Sequence, residues 1–579
     1  MSNASQLPRF NRTFLGGEQT FTRIGNGEIG GKAAGLLLVR DAVLSNLSPD
    51  EFPTFDVSIP TLTVLTTELF DEFMERNALY DVALSSETDE RIALAFQQAE
   101  LPAESVGDLM SIATGLHTPL AVRSSSLLED ALAHPFAGVY GTKMIPNNQP
   151  DPDTRFHRLV EAIKFVYAST FFHGPKGYIG SVDRSLRDEK MAVIIQEVVG
   201  HRLNSRFYPA ISGVGRSYSY YPTLKAQPED GVVDLALGLG RQIVDGGLAW
   251  TYCPRYPKAP APYNGLNDMI RNTQTDFWAV NMGTPPPHDP VRETEYLVQA
   301  SLEDAEYDGV LDHIVSTYDP SSERLRPGLA GAGARVVNFA PALSYDTLPL
   351  NRLVARLLEL SEEALAREVE IEFAVSLDPL GRTRPRFGFL QARPMMVAGT
   401  PVIIADESMT APDVLVASEH AMGNGERDDI LDVVYLRPEA FEARHTPVIA
   451  HELDGINRGL SSERRPYLLI GFGRWGSSDP WLGVPVDWAS ISGAAVIVEA
   501  TLPQMTPDLS QGSHFFHNLI SFEVLYLSVS HAAEPGIDWS WLDARPAVTE
   551  SELVRHVRLE RPLRAKVDGR HGRGVITHD

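Results

Sequence analysis

The amino-acid sequence predicts an α/β protein with more than one domain. Its 579 residues exceed what one hydrophobic core can serve, because cores stop growing at roughly 250 to 300 residues. Segments rich in β-branched residues, which predict buried strands, alternate with amphipathic segments, which predict helices. This alternation is typical of α/β architecture. We place a domain boundary near residue 398, which gives an N-terminal domain of residues 1–398 and a smaller mixed α/β domain of residues 399–579.

The periodicity of apolar residues predicts the individual elements in chain order. A glycine-rich turn at residues 30–35 leads into a helix, and SIPTLTVLTTELFDEFMERNAL predicts a strand followed by a helix. Further helices are predicted at residues 89–100, in RFHRLVEAIKFVYASTFF and in NRLVARLLELSEEALAREVE. Strands are predicted in LAVRSSS, in MAVIIQEVVG, and on both sides of a Gly/Arg/Pro turn in IEFAVSLDPLGRTRPRFGFLQARPM. Residues 399–579 predict mixed strands and turns.

Composition excludes several classes of protein. The net charge of -26 argues against broad binding to nucleic acids or anionic membranes, since a negative field repels phosphate polymers. Cys253 is the single cysteine, so neither an intrachain disulfide nor a thiolate zinc site is expected. The N-terminal residues lack the apolar core of a signal peptide, and no uncharged apolar run approaches the ~18 residues of a spanning helix. We therefore expect a cytoplasmic protein without a membrane partner.

The first candidate site lies in residues 121–142, AVRSSSLLEDALAHPFAGVYGT. Arg123 ends an apolar run and could hold a phosphate oxygen bidentately, while the serines after it supply hydroxyl donors. Gly138 would let the backbone approach a ligand closely. The alternative interpretation is a solvated strand end.

A second candidate is Gly30-Gly31-Lys32, which precedes a predicted helix. Backbone N–H groups at a helix N-terminus favour anions, and Lys32 adds a positive charge for a phosphate. The segment is not a P-loop, because Asn26 stands where the first glycine is needed and Ala33 where Ser or Thr would hold magnesium. The alternative is a glycine-rich helix start with no ligand.

A third candidate combines Glu372, Gln391 and Arg393. If their strands pair antiparallel, alternation places Gln391 and Arg393 on one face, where Glu372 could join them. A carboxylate and an amide oxygen can ligate Mg²⁺ while an arginine holds the transferring phosphate. A salt-bridged sheet face is the alternative.

Two weaker patterns lie in the C-terminal domain. GFGRWG at residues 471–476 has dinucleotide-binding spacing, but prolines interrupt the segment where the required helix should follow. His514 and His517, three residues apart in GSHFFHN, could act as metal ligands or as a phosphoryl acceptor, and the alternative is that both are core histidines.

The segments of the N-terminal domain, taken in chain order, resemble the nucleotide-binding domain of pyruvate phosphate dikinase, phosphoenolpyruvate synthase and rifampin phosphotransferase. This domain is a relative of the ATP-grasp fold. The resemblance covers about residues 25–398. It is carried by Gly30-Gly31-Lys32, IPTLTVLTTELFDEF, the VRSS, ED, FAG and T positions from Arg123 to Thr142, Gln196-Glu197-Val198-Val199, and Ile371-Glu372-Phe373 with Gln391-Ala392-Arg393-Pro394.

The resemblance implies an ATP-grasp-like nucleotide-binding unit of two subdomains and a role for each matching residue. ATP phosphates would bind Lys32 and Arg123, and Gly138 and Thr142 would line their path. Gln196, Glu197 and Val199 would hold the base. Glu372 and Gln391 would carry Mg²⁺, and Arg393 would stabilise charge during transfer.

The sequence departs from the family pattern at two places. Gly238-Leu239-Gly240-Arg241 resembles a turn that usually continues with an acid, so a nucleotide contact is altered or lost at Arg241. The family also passes phosphate through a histidine in a T-S-H-A-type motif, which is absent here. His514 is the nearest analogue.

The expected function is that of an ATP- and Mg²⁺-dependent phosphotransferase. Its acceptor could be His514, a small molecule or a partner protein, and a homo-oligomer is compatible with the sequence. The alternative is a regulatory or sensor protein that binds ATP without transferring phosphate.

Overall fold

A computed structural model of the protein describes residues 7–12, 20–48, 50–127, 129, 138–180, 186–222, 225–259, 265–395, 397, 402–477, 481–503, 519, 524–534 and 536–578. The chain divides into two compact units. Unit 1 comprises Met1–Tyr218, Glu229–Ile243 and Leu248–Met395, and unit 2 comprises Ser219–Pro228, Val244–Gly247 and Met396–Asp579. Helices and strands occur in both, which confirms the predicted mixed α/β class. None of the helices in the described ranges has the length and apolar content needed to cross a membrane.

The strands within the described residues are numbered in chain order. They are β1 Phe21–Ile24, β2 Asp56–Ser58, β3 Leu62–Leu65, β4 Leu120–Ser126, β5 Thr142–Ile145, β6 Met191–Glu197, β7 His201–Leu203, β8 Arg206–Tyr208, β9 Ile211–Arg216, β10 Val232–Ala236, β11 Trp250–Tyr252, β12 Asp276–Asn281, β13 Leu297–Ser301, β14 Val315–Asp319, β15 Arg324–Pro327, β16 Arg335–Val337, β17 Val369–Ser376, β18 Arg386–Pro394, β19 Val414–Ser418, β20 Ala421–Met422, β21 Gly425–Leu436, β22 Tyr467–Phe472, β23 Arg474–Trp475, β24 Gly483–Val484, β25 Ala494–Ala500, β26 Leu525–Val529, β27 Ala547–Glu550, β28 Val554–Asp568 and β29 Arg573–Thr577.

The α-helices are numbered in the same way. They are α1 Gly30–Leu38, α2 Thr67–Arg76, α3 Tyr80–Ala83, α4 Asp89–Gln98, α5 Ala103–Gly115, α6 Pro152–Ser169, α7 His173–Gly180, α8 Arg241–Val244, α9 Leu266–Arg271, α10 Leu302–Asp308, α11 Ala340–Leu343, α12 Leu350–Leu365, α13 Asp406–Met409, α14 Thr446–Ser462 and α15 Trp539–Asp543. Helix α1 continues as a π-helical turn over Val39–Val43.

The described residues of unit 1 form four sheets. A five-stranded sheet has the order β1-β3-β6-β4-β5, and a six-stranded sheet has the order β11-β10-β9-β17-β18-β2. A four-stranded sheet, β13-β12-β8-β7, and a three-stranded sheet, β15-β14-β16, complete the unit. The antiparallel pairing of β17 with β18 confirms the strand pair that alternation predicts.

Helix α1 lies close to both large sheets of unit 1. A Cβ atom placed on Gly30 would lie 1.6 Å from the Ser125 carbonyl oxygen of β4, and one on Gly35 would lie 2.7 Å from the Ala392 carbonyl oxygen of β18. Gly30 also has a φ of +74°, which L side chains rarely adopt. The glycines in GGKAAG therefore allow the close approach that places Lys32 beside both sheets.

Unit 2 is organised around a nine-stranded sheet. Its main path is β19-β29-β28-β21-β22-β25-β26-β20, with β27 paired to β28. The four central strands, β21, β22, β25 and β26, run parallel to one another. Helix α14 connects β21 to β22 and buries Ile449, Leu453 and Leu460. This helix agrees with the mixed α/β class expected for residues 399–579, although its position was not predicted, because glycines in α14 weaken its helical signature.

Candidate functional site

The candidate site of unit 1 begins where β4 approaches β18. The Arg123 side chain donates to the Leu390 carbonyl oxygen at 3.2 Å and to Gln391 Oε1 at 3.0 Å. Its Nη2 lies 3.7 Å from Glu372 Oε2. Glu372 and Gln391 are direct cross-strand partners, so their side chains project on one face. The structure thus brings together three of the predicted site residues from distant parts of the chain.

A buried network of charges continues from this point along the same strand face. Glu370 is the cross-strand partner of Arg393 and forms an ion pair with it. The other oxygen of Glu370 accepts from Arg216 Nε at 2.7 Å, and Arg216 Nη1 lies 3.1 Å from Asp234. Burial opposes the charge of Arg216, but Glu370 and Asp234 outweigh that cost and raise its pKa. Arg393 is therefore held by Glu370, two residues from Glu372.

Lys32 occupies a second polar cluster, beside the serines that follow Arg123. Its Nζ lies 2.7 Å from Glu129 Oε1 and 3.1 Å from Ser124 Oγ. Glu129 is completely buried and also accepts from the Ser124 hydroxyl and the Ser126 N–H. Ser125 donates to the Ile29 carbonyl oxygen and accepts from the Ala33 N–H. The serine run thus fixes both the start of α1 and the carboxylate that pairs with Lys32.

The face of the five-stranded sheet that carries Arg123 also carries other predicted site residues. In the strand register Arg123 lies opposite Thr142 on β5, and Ala121 lies opposite Gln196 on β6. Residues directly opposite one another project on the same side of a sheet. Arg123, Thr142 and Gln196 therefore share one face.

Apolar side chains lie next to that face. Ala121 of the five-stranded sheet belongs to a small buried cluster with Phe207 and Val280 of the four-stranded sheet and with Val198, Leu239 and Met282. Gln196 is 2% exposed, and its Nε2 has no hydrogen-bond partner in the part of the chain that the structure describes. An apolar layer beside a buried amide offers the mixture of contacts that a planar heterocycle needs.

The other two predicted base contacts differ in how their groups are used. Glu197 accepts from the Thr118 hydroxyl at 2.8 Å, and its N–H donates to the Thr61 carbonyl oxygen. Val199 is buried, and its N–H makes no hydrogen bond within the described residues. The Val199 backbone is therefore the freer of the two for a ligand.

Beyond Arg123, the predicted phosphate path includes an acid that sequence reasoning missed. The Thr142 N–H donates to Glu293 Oε1 at 3.1 Å, and Glu293 Oε2 lies 3.5 Å from Arg241 Nη1. The Arg241 guanidinium also lies 5.8 Å from the centroid of the Trp278 ring. Gly138 is exposed and has a φ of +63°, a conformation suited to glycine.

The patterns of the C-terminal residues have different outcomes. His514 and His517 lie outside the described residues. Gly471, Gly473 and Gly476 of the GFGRWG segment lie at the end of β22 and around the short strand β23, so the segment does not lead directly into a helix as a dinucleotide-binding turn does. In the ranges that are described, no group of three or more His, Cys, Asp or Glu side chains could hold a metal ion.

A comparison with protein families identifies the domain that contains this site. Residues 26–410 match the model described as pyruvate phosphate dikinase, AMP/ATP-binding domain, and these residues make up more than half of the chain. The chain belongs to this family. A comparison with curated proteins finds no match.

As a member of the pyruvate phosphate dikinase AMP/ATP-binding family, the protein has an ATP-binding domain related to those of phosphotransferases. The family match confirms the resemblance inferred from the GGK, VRSS and QARP segments. It includes both the Lys32 cluster and the Arg123 cluster.

The sequence analysis missed four charged residues of the site, namely Glu370, Arg216, Asp234 and Glu293, and the position of Glu370 alone could have been predicted from the local sequence. Glu370 precedes Glu372 by two positions, so strand alternation alone places both carboxylates on one face. Arg216 and Glu293 had no comparable signal, because their partners are distant in sequence. Arg216 lies 154 residues from Glu370, and Thr142 lies 151 residues from Glu293.

Proposed function

We propose that the protein is an ATP- and Mg²⁺-dependent phosphotransferase. The observation that carries this proposal is the meeting of Arg123 with Gln391 and Glu372, which places a bidentate cation beside two oxygen ligands in an ATP-binding domain. Phosphoryl transfer needs positioned cations more than it needs covalent chemistry from the protein. A protein that binds ATP without transferring phosphate does not require an arginine beside two metal-ligand oxygens.

The nucleotide would lie along the face that Arg123, Thr142 and Gln196 share. In this proposal Lys32 and Arg123 bind the phosphates, and Gly138 and Thr142 line their path. The base lies against the apolar cluster that contains Ala121 and Val198. Glu197 borders it, and the Gln196 Nε2 and the Val199 N–H, which have no partner among the described residues, can donate to it.

The residues present fit a magnesium ion of the kind found with nucleotides. Mg²⁺ is usually held by one or two protein oxygens while phosphates and water complete its shell. Glu372 and Gln391 supply one carboxylate and one amide oxygen as cross-strand partners. When bound, the ion would neutralise charge on the transferring phosphate. Glu370 is a poorer candidate ligand, because its oxygens are engaged by Arg393 and Arg216.

Arg123 would change partners when the nucleotide binds. In the structure its guanidinium lies against Gln391 and Glu372, the two residues proposed to ligate Mg²⁺. The negative charge of a phosphate would then interact both with the Arg123 guanidinium and with the magnesium ion. Arg393, fixed by Glu370, would stay in place and stabilise the charge that develops during transfer.

The acceptor of the phosphate is the part of the proposal that rests on sequence alone. His514 is proposed as a phosphocarrier because it is the nearest analogue of the family's histidine. A small molecule or a partner protein would serve equally as the final acceptor.

The decisive test uses the full-length protein with Mg²⁺ and ATP labelled at either the β- or the γ-phosphate. Acid-labile label on the protein that disappears in Glu372→Gln and in His514→Ala supports a phosphohistidine enzyme. Label that needs Glu372 but not His514 supports transfer to another group. If neither position of ATP labels the protein and no ATP turns over with any acceptor tried, the enzyme proposal is wrong.

The alternative of an ATP-binding sensor is favoured by one observation. Lys32 is already paired with Glu129, so a phosphate must compete with a buried carboxylate for this lysine. Under the sensor hypothesis, that exchange would itself be the response to ATP. Glu129→Gln would then raise ATP affinity with no turnover in either protein, whereas an enzyme would show turnover in the wild type.

A further inference from the structure

Unit 2 contains a groove of about 530 Å³ that the proposed nucleotide chemistry does not use. One wall is helix α14, and the other is formed by β27 and the start of β28; we call it the α14 groove. Gly455 and Gly459 line it, and a Cβ atom on either glycine would meet nothing within 4 Å. Leu460 and Val554 supply an apolar floor. The volume is sufficient for a small organic molecule.

A buried histidine lines the same groove. His556 is 5% exposed, and its Nε2 lies 2.8 Å from Asp432 Oδ1. Asp432 also receives the guanidinium of Arg465. The other ring nitrogen, Nδ1, makes no hydrogen bond to any described residue. In the tautomer whose Nε2–H donates to Asp432, Nδ1 carries no hydrogen and can accept a hydrogen bond from a ligand.

The carboxylates around the groove differ in how they are neutralised. Glu463 lies 2.8 Å from Arg465, and Glu550 lies 3.1 Å from Arg437. Glu452 has no ion-pair partner among the described residues, and its Oε2 accepts from the Ser551 hydroxyl at 2.6 Å. One negative charge at the groove is therefore left without a cation.

The chemical character of the groups in the α14 groove determines which ligand would complement them. Glu452 accepts a hydrogen bond, and the His556 Nδ1 can accept one in the tautomer described above, while the Arg465 guanidinium is engaged by carboxylates. The floor between the walls is apolar. A matching ligand needs several N–H donors, a positive charge and an apolar body, and a primary ammonium group on a hydrocarbon or aromatic frame supplies all three.

We propose that the α14 groove of unit 2 is a binding site for a small organic amine, held by Glu452 and His556 Nδ1 over the Leu460 and Val554 floor. Binding of an amine in the α14 groove does not depend on ATP binding in unit 1, so this proposal is tested independently of the phosphotransferase proposal.

The test is isothermal titration of the full-length protein with tryptamine and with tryptophol, which differ only in an ammonium group and a hydroxyl. Tryptamine is expected to bind with a Kd of about a millimolar or below, and tryptophol about tenfold more weakly. Glu452→Gln should remove the preference for the amine. Glu407→Gln, which changes an exposed carboxylate on α13, is the matched control and should keep it.

A second variant separates binding from folding. Gly459→Leu should fill the groove and abolish tryptamine binding, and its thermal midpoint should be unchanged or higher because glycine is a poor helix former. Three results would overturn the proposal. These are equal binding of amine and alcohol, tryptamine binding that survives Gly459→Leu, and no heat of binding at concentrations about tenfold above a millimolar.

Discussion

Two buried glutamates, one in each unit, are stabilised in different ways. In unit 1, Glu370 lies between the guanidinium groups of Arg393 and Arg216. In unit 2, Glu499 is 3% exposed and accepts a hydrogen bond from the Tyr526 hydroxyl. Burial raises the pKa of Glu499 to about 7, although Tyr526 and the charge of Arg474 act against that shift.

The difference between Glu370 and Glu499 shows which of the two carboxylates is held as a permanent charge. Arginines keep the unit 1 network ionic, and that network ends at Arg393, which is proposed to stabilise charge on the transferring phosphate. A phenol cannot neutralise a carboxylate, so Glu499 of unit 2 can gain or lose a proton near neutrality. If this contrast is correct, substitutions in unit 1 should act through lost pairing, and substitutions at Glu499 should act through pH.

The largest expected effect is that of Glu370→Gln. This variant leaves Arg216 and Arg393 buried without their shared carboxylate, and removing one partner of a buried ion pair typically costs about 3 to 5 kcal/mol. Denaturant unfolding should show this loss. Glu363→Gln, an exposed glutamate on α12, is the control and should change the free energy of unfolding by no more than about 0.5 kcal/mol.

A loss below about 1 kcal/mol in Glu370→Gln would contradict the contrast between the units. It would mean that water or neighbouring groups satisfy both arginines, and that Arg393 is not held in place by Glu370.

Arg123→Lys should reduce catalysis more than stability. Lysine keeps the charge but cannot form the bidentate contact, so turnover of ATP should fall by about 10² to 10³. The Arg123 side chain contacts Leu390, Gln391 and Glu372 at a partly exposed position, so a thermal midpoint close to that of the wild type is expected. Steady-state kinetics and thermal melts measure the two effects separately.

Arg91→Lys is the matched surface control, since Arg91 is exposed and its one ion-pair partner within the described residues is Glu87. If Arg123→Lys turned over ATP at the wild-type rate, Arg123 would not be part of the proposed phosphate site.

Much of the unit 1 site follows from local sequence patterns. Alternation in IEFAV and FGFLQARP predicts β17 and β18, and the structure confirms their pairing and the shared face of Glu372 and Gln391. The GGK segment predicts a helix start, which α1 confirms. These predictions succeed because each depends on residues within a few positions of one another.

The partners of the predicted residues were not accessible in the same way. Lys32 and Glu129 are 97 residues apart, and their pairing depends on how closely α1 packs on β4. The groups of unit 2 show the same limit, because Asp432 and His556 are 124 residues apart and belong to no short motif. Sequence patterns predict which face a side chain occupies, whereas the tertiary packing of distant segments decides what it contacts.

Glu499→Gln should make the stability of the protein less dependent on pH. In the wild type the folded-state pKa of Glu499 rises from 4.5 to about 7, so the folded protein binds the proton more tightly than the unfolded chain does. This stabilisation is complete below the unfolded pKa and is lost as pH rises toward 7. Gln mimics the protonated form at every pH. Relative to the wild type, the variant should gain about 2 to 3 kcal/mol between about pH 5 and pH 8.

Denaturant unfolding of both proteins at the two pH values measures this difference. A constant difference would show that Glu499 does not titrate in this range, and the contrast with Glu370 would then be lost.

The smallest expected effect is at Arg241, which stands where the family resemblance leads us to expect an acid. Arg241 neutralises Glu293, whose carboxylate accepts from the Thr142 N–H on the proposed phosphate path. Arg241→Glu places two carboxylates beside one another and beside the proposed phosphate path, so ATP affinity should fall by about three- to tenfold. Arg241→Gln removes the positive charge without adding a negative one, so its ATP affinity should lie between those of the wild type and Arg241→Glu. Titration with a fluorescent ATP analogue at low and high salt measures the effect, and screening should reduce it. Tighter ATP binding in Arg241→Glu would instead indicate that an acid at this position contacts the nucleotide directly, as in the family pattern.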